Sequence, residues 1–251
     1  MISTCGSPDS SDTYSAPEGA RFIEISSEDS GLEFANNLAL EADFDVFRYR
    51  NYYNGGGVAI GDLNNDGLPD VYLTANTERN KLFLNKGDFK FEDATESSGV
   101  GGTHAWSTGV ALADVNGDNW LDIYVCNSGD LKGNSRENEL FINQQDGTFI
   151  ESAEAYGLAD GGFSTHAVFF DYDKDGDLDC YVLNNSFQPV AQLQLRNLRE
   201  IRDDYGGDKL YRNDNGQFVD VSEEKDIYGS VIAFGLGVTV GDVNSDGWED
   251  I

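Results

Sequence analysis

The sequence predicts an all-β fold, an arc of about three and a half four-stranded β-propeller blades, and three observations lead there. One nine-residue Asp/Asn pattern recurs four times along the 251 residues, short β-branched and aromatic runs flank the copies, and 29 Gly stand against a single Met. Tight turns between short strands use such a composition, and a helix bundle does not. Hydrophobic residues make up 39% of the chain, with 15 Phe, 12 Tyr and 3 Trp, which is enough for a packed interior and too much for a disordered acidic tail. The 46 acidic and 16 basic residues leave a net charge of -30, which repels phosphate and argues against nucleic acid or an anionic membrane as partner. No apolar run approaches the ~20 residues of a membrane-spanning helix.

The copies begin at Asp62, Asp114, Asp171 and Asp242, so consecutive starts lie 52, 57 and 71 residues apart, one supersecondary unit each. An apolar stretch leads into every loop (57–60, 109–112, 167–170 and 237–240), and another leads out of the first three (71–73, 123–125 and 180–183). Each of those loops therefore joins two strands. A second shared block covers 81–93, 139–151 and 209–220, with Asn, Asp and Gly between apolar halves, and reads as another hairpin. Two hairpins per repeat give four strands, the size of one blade. The expected organisation is a flexible tether over 1–19, an N-terminal ring-closing strand and lead-in over 20–56, and blades over 57–100, 101–160 and 161–230. The third blade carries an insertion at 185–207, and 231–251 starts a fourth. Residues 22–32 resemble 91–100 and 149–158, which end repeats, so an outer strand is expected there and the chain reads as a truncated part of a ring.

In each loop, positions 1, 3, 5 and 9 offer side-chain oxygens and position 7 a backbone carbonyl. The sets are Asp62, Asn64, Asp66, Leu68 and Asp70, then Asp114, Asn116, Asp118, Trp120 and Asp122. The third is Asp171, Asp173, Asp175, Asp177 and Asp179, and the fourth Asp242, Asn244, Asp246, Trp248 and Asp250. A hard cation of Ca²⁺ size takes about six to eight oxygen ligands, and alternate residues of a tight loop aim oxygens inward. Position 6 is Gly67, Gly176 and Gly247, with Asn119 in the second copy, the residue types that best tolerate a left-handed backbone. Up to four Ca²⁺ sites are expected, the all-Asp third the tightest. A helical EF-hand is rejected, because position 12 is Leu73, Val125 or Val182 inside a strand. Such loops are also good β-turns, but turn chemistry does not need carboxylates at positions 1, 5 and 9 of every copy.

The unit Gly-Val-Ala-x-Gly-Asp-x-Asn-x-Asp-Gly-x-x-Asp, followed by Lys-Leu-Phe-x-Asn and Phe-x-Asp, resembles the FG-GAP/VCBS repeat of integrin α-chain propellers. It is still more similar to the bacterial VCBS proteins related to cartilage acidic protein, from about residue 20 to the end. The resemblance implies a seven-bladed, calcium-stabilised extracellular propeller that serves adhesion or ligand binding. Asn119 in place of Gly and the long third repeat depart from that pattern.

Partner-binding candidates fall outside the loops. Residues 48–57, with Arg48, Tyr49, Tyr52 and Tyr53, form an aromatic and basic cluster ahead of the first blade, while Asn54, Trp106, Phe163 and Phe234 each stand eight residues before a loop Asp. In a propeller that register is the entry to the innermost strand, where aromatics suit a glycan or an extracellular protein; core packing is the other reading. Within the insertion, Leu193, Leu198 and Ile201 follow near-helical spacing beside Arg196, Arg199 and Arg202. His104 and His166 stand ten and five residues before their loop Asp, which disfavours a shared metal or acid–base role. No nucleophile-elbow, zincin or phosphate-loop motif occurs, so no catalytic residue is assigned and a non-enzymatic module is expected. The alternative is the propeller of a polysaccharide lyase, for which Arg48, Tyr52, Tyr53, His104 and His166 are the available groups. Cys126 and Cys180 lie in apolar strands and read as buried thiols. Cys5 precedes a small, polar and acidic stretch and is either a bacterial lipoprotein attachment site or an incidental thiol. The expected location is secreted or cell-surface, as an outer-membrane lipoprotein on the first reading of Cys5.

Overall fold

Residues 22–38, 45–46, 49–104, 106–129, 136–188 and 198–251 are described by a computed structural model. Three antiparallel meanders of four strands each account for every strand among them. The first holds β1 (Val58–Gly61), β2 (Asp70–Leu73), β3 (Lys81–Asn85) and β4 (Phe91–Asp93). The second holds β5 (Ser107–Ala113), β6 (Asp122–Asn127), β7 (Glu139–Asn143) and β8 (Phe149–Glu151). The third holds β9 (Ser164–Phe170), β10 (Asp179–Asn184), β11 (Lys209–Asn213) and β12 (Phe218–Asp220). Each Asp/Asn loop is the β1–β2 type hairpin, closed by the pairs Gly61–Asp70, Ala113–Asp122 and Phe170–Asp179. β1 runs beside β5 and β5 beside β9, so the sheets radiate from a shared inner edge as an unclosed propeller arc.

The core lies between blades, and the two-residue strand period builds it. Along β6, Ile123 and Val125 face blade 1 with Tyr72, Leu82 and Val100, while Tyr124 and Cys126 face blade 3 with Cys180, Val182 and Phe218. Along β10 the alternation repeats, Cys180 and Val182 toward blade 2, Tyr181 and Leu183 toward the far side, where Val238 and Val240 cover them. A middle strand buried on both faces therefore reads as a continuous apolar run. Fully burying one such side chain stabilises by about 1.5–3 kcal/mol. Burial holds the thiols of Cys126 and Cys180 protonated, well above the ordinary range.

At the inner edge the blades meet backbone to backbone. Thr74 Oγ1 donates to Thr108 O, Thr108 Oγ1 to Ser164 O at 2.7 Å, and Thr165 Oγ1 to Gly235 O at 3.0 Å, one rung per blade boundary. A second series runs alongside it: Asn76 Nδ2 to Ser107 O at 2.9 Å, Ser128 Oγ to Ser164 O at 2.8 Å and Asn185 Nδ2 to Gly235 O at 3.0 Å. At the first two boundaries this approach requires glycine. A Cβ on Gly57 would stand 2.7 Å from Thr108 O, and one on Gly109 2.5 Å from Thr165 O.

Two segments differ from the sequence expectation. Residues 22–26 resemble an outer strand yet form no ladder, because an outer strand pairs with the third strand of its own blade and no described residue supplies one. The turn immediately after them does match the repeat ends: α1 (Ser27–Ser30), α2 (Thr95–Ser98) and α3 (Ala153–Tyr156) are single turns closed by Gly31, Gly99 and Gly157 at φ 80°, 75° and 80°. A Cβ on Gly31 would meet Phe91 O at 2.3 Å, and one on Gly157 would meet Phe218 O at 2.4 Å, so the first turn sits on β4 as α3 sits on β12. The fourth repeat forms one bridge, Gly241 and Asp250 exchanging backbone bonds of 3.1 and 3.0 Å, and no full ladder. Leu193 and Arg196 lie outside the described residues, as does Cys5; Leu198 to Ile201 forms a turn and Arg202 bridges Ser230. Among the described residues no helix is long and apolar enough to cross a membrane.

Gly109→Ala is expected to lower unfolding free energy by about 1–3 kcal/mol through the overlap with Thr165 O. Gly237→Ala, at the same repeat register but with nothing within 4 Å of its Cβ, is expected to stay within about 0.5 kcal/mol. Urea denaturation of the two variants checks the blade-to-blade contact.

Candidate metal centre and axial cavity

The four loops share one hydrogen-bond scheme, and the side chains named by the sequence make it. In the first, Asp62 Oδ1 accepts from Asp66 N at 3.1 Å and its Oδ2 from Gly67 N at 2.8 Å. Asn64 Oδ1 accepts a second bond from Asp66 N at 3.0 Å, and Asp66 Oδ1 accepts from Leu68 N at 2.9 Å. Asp114, Asn116 and Asp118 repeat these contacts, ending on Asn119 N and Trp120 N. Asp171, Asp173 and Asp175 do the same, ending on Gly176 N and Asp177 N. The fourth loop has the same contacts from Asp242, Asn244 and Asp246, ending on Gly247 N and Trp248 N. Position 6 is left-handed throughout, at Gly67, Asn119, Gly176 and Gly247 (φ 86°, 67°, 102° and 86°). Position 4 is left-handed as well, at Asn65, Gly117, Lys174 and Ser245, which the sequence pattern did not reveal. Their residue types have nothing in common; the amide bonds around them impose the conformation.

Position 9 is different. Asp70, Asp122 and Asp179 are fully buried. Asp122 Oδ2 accepts from Val115 N at 3.0 Å and its Oδ1 from Asn143 N at 2.8 Å, joining the loop to the third strand. Asp70 holds Leu63 N and Asn85 N, and Asp179 holds Tyr172 N and Asn213 N, in the same way. Asp250 Oδ2 takes the first of these bonds, from Val243 N at 3.0 Å. Burial pushes the carboxyls of Asp122 and Asp179 up to about 6, with the nearby carboxylates (Asp118 and Asp114; Asp173 and Asp177) adding to the shift and the amides opposing it. Asp70 is raised for the same reasons. Carboxylates that raise one another lack a positive charge among them.

The third loop concentrates this most. Oxygens of Asp171, Asp173 and Asp179 all lie within 4.8 Å of one another, a cluster found in no other loop among the described residues. In the first and second loops the Asn at position 3 relieves the charge: Asn64 Nδ2 donates to Asp66 Oδ2 at 3.1 Å, and Asn116 Nδ2 to Asp118 Oδ2 at 3.2 Å. Asp173, as a carboxylate, cannot donate. Asp177 Oδ1 is also buried without a hydrogen-bond partner. An all-oxygen, all-anionic donor set of this kind fits a hard divalent cation and offers nothing to a soft one.

At the opposite end of the inner strands lies a cavity of about 300 Å³, lined by Tyr49, Asn51, Asn54, Trp106, Thr108, Thr165, His166 and Leu236 with Gly55–Gly57 and Gly109. Trp106 sits at φ 65°, an outlier for a bulky residue that costs of order 1–3 kcal/mol and persists only where the surroundings impose it. Here its N–H donates to Asn76 O at 3.0 Å and its carbonyl accepts from Ser128 N at 3.0 Å. Of the other partner candidates, Tyr52 is fully buried with its ring 5.2 Å from that of Trp106, whereas Tyr53 is exposed. Phe163 stacks on Phe187 at 5.0 Å beneath Arg136, and Phe234 lies 4.0 Å beneath the Arg50 guanidinium. Arg48 lies outside the described residues. Tyr49 and Asn51 belong to the aromatic and basic segment 48–57 of the sequence; the place of His166 was missed, although register points to it, since it stands where the other repeats have Gly57, Gly109 and Gly237.

The FG-GAP-like repeat family matches residues 62–125 and 127–182, which cover the first three loops entire and β10 as far as Val182. Cartilage acidic protein 1 of Xenopus tropicalis is 30% identical over 173 residues, 66% of this chain and 24% of its own length. The Homo sapiens and Mus musculus proteins of that name are 26% and 25% identical over 233 residues, 91% of this chain and 31% and 32% of theirs. The chain thus spans about a quarter to a third of the relatives it matches.

Asp122→Ala leaves two buried amides without acceptors and is expected to cost about 3 kcal/mol even in chelator. Asp246→Ala in the exposed fourth loop is expected to stay within about 0.5 kcal/mol in chelator. Equilibrium denaturation of both variants separates the structural carboxylate from the ones that only shape the loop.

Proposed function

Because the chain belongs to the FG-GAP-like repeat proteins, we propose that it is an extracellular β-propeller module, stiffened by calcium, that binds a glycan or protein partner without catalysis. The observation that carries this reading is the cluster of Asp171, Asp173 and Asp179, three carboxylates within one coordination radius. Ca²⁺ would be held there by those side chains with Asp175 and the Asp177 carbonyl, and by the equivalent sets in the other three loops. It supplies charge neutralisation that lets the hairpin bends stay compact. Three of the four sets contain an Asn in place of a carboxylate, which lowers affinity toward the range that millimolar extracellular calcium fills. A lipid on Cys5, ahead of its polar tether, would keep the module at a cell surface. The lyase alternative finds less support, since Tyr52 is fully buried and no basic side chain other than His166 lines the axial cavity among the described residues.

Melting with and without Ca²⁺ tests the reading. Calcium at a hundred times its dissociation constant is expected to stabilise each occupied site by about 2.7 kcal/mol, so the midpoint rises and falls back on adding chelator. Asp173→Asn copies the first two loops and removes one charge: the calcium-free protein is expected to melt higher than wild type and the calcium increment to shrink. A midpoint indifferent to calcium would overturn the proposal.

A further inference from the structure

We propose that the axial cavity is a binding site for one uncharged glycosyl unit, with His166 as its specificity-determining hydrogen-bonding group. This rests on the ligand-binding reading above and narrows it to a place and a chemical class. Four independent features converge on the cavity. First, its volume of about 300 Å³ reaches the lower end of the range of small-ligand pockets. Second, the ladders of β5 and β9 break register beside it, between Ser107 and Val110 and opposite Thr165, and bulges of this kind are over-represented next to sites, where they re-aim side chains. Third, Trp106, one of the lining residues, is held in a left-handed conformation. Fourth, a side chain replaces glycine at one register only: His166 interrupts the series Gly57, Gly109 and Gly237 and so brings an imidazole to the axis. Its Nδ1 lies 2.9 Å from Ala167 O, which fixes the ring and leaves Nε2 for a ligand.

The lining chooses the ligand class. A quarter of the chain is charged, yet no Asp, Glu, Lys or Arg lines the cavity among the described residues. Nearby Arg50 is spent elsewhere, donating to Ser186 O at 2.7 Å and Gln188 O at 2.8 Å and covering Phe234. An anionic sugar, a phosphate or a cation would therefore enter without a counter-charge. Tyr49, Trp106 and the exposed Leu236 give the lining its apolar part, and the amides of Asn51 and Asn54 with His166 supply both donors and acceptors. A polyol with one C–H face fits such a lining, and the threonine hydroxyls do not compete for it, because Thr108 and Thr165 already donate to carbonyls.

Saturation-transfer NMR and titration calorimetry on the whole calcium-loaded chain test this, with methyl glycosides of glucose, galactose, mannose, fucose and N-acetylglucosamine as probes, and glucuronate and a Trp-containing peptide as contrasts. At least one neutral glycoside is expected to bind, with affinity reduced tenfold or more in His166→Gly. That variant restores the residue of the other repeats, so its calcium-dependent melting is expected to match wild type and separates lost binding from lost fold. Asn54→Ala, on an exposed residue, provides a second loss-of-binding variant. The proposal is overturned if no neutral glycoside binds the folded protein, if glucuronate or the peptide alone binds, or if binding is unchanged in His166→Gly. Binding that survives His166→Gly would leave the ligand-binding module standing and move its site elsewhere.

Discussion

The buried carboxylate at the end of each aspartate loop is the constraint on which the rest of the architecture depends. Asp70, Asp122 and Asp179 pair in the ladder with the residue that precedes the loop, so they fix where the hairpin closes. Each also accepts one amide from the loop and one from the third strand. Three segments of a blade thus converge on one buried side chain that no amide or hydroxyl could replace, because the two amides are held by two different oxygens and an amide or hydroxyl side chain offers one. The carboxylate in turn needs those bonds, since burial raises its pKa and each amide lowers it again. Fold and electrostatics are coupled at this point: the residue that sets register is also the one that brings negative charge beneath the loop.

The loop above it extends the same logic. Side-chain oxygens at positions 1, 3 and 5, carboxylates at 1 and 5 of every loop and at 3 of the third, cap backbone amides, which stabilises two left-handed residues but gathers charge. Asn64 and Asn116 moderate that charge within their own loops by donating to the position-5 carboxylate. The third loop has no such internal remedy. An acid-rich chain is therefore not merely a solvated surface; part of its acidity is structural, held in the loops and beneath them. Contact between blades adds to this, since Asn143 of β7 donates to Leu63 O of the first loop at 2.8 Å, so the bend of one blade is anchored on the next.

How much of this was legible depends on where the information sits. Strands and loops were readable because their requirements are local: period-two apolar runs such as 123–126 and 180–183, and glycine or asparagine at a left-handed position 6. Position 4 was not readable, since Lys174 and Ser245 are forced left-handed by neighbours' hydrogen bonds and not by their own chemistry. Residues 22–26 show the converse, a strand-like pattern that needs a third strand to become one. Adjacent tyrosines make the point at the candidate site: Tyr52 is fully buried against Trp106 and Tyr53 is 66% exposed, a difference that only the path of the lead-in segment decides. Gly57 and Gly109 recurred plainly enough, but their reason, a carbonyl of the next blade, belongs to the neighbour.

The inner strands connect the two ends of this arrangement. Each enters beside the axial cavity and exits into an aspartate loop four to seven residues later, so the loop that fixes hairpin register also fixes which backbone groups face the axis. A slip of one residue would turn every side chain of a strand to the other face. It would carry His166 away from the axis and break the rung from Thr165 to Gly235. The strained backbone of Trp106 adds a further condition, because a left-handed tryptophan persists only while Asn76 and Ser128, from two different blades, hold it from both sides. Rigid spacing between blades is thus a requirement of the cavity and not an ornament of the fold. A cation at the loops would act on ligand binding from the far end of the strands, through register and spacing, without touching the ligand.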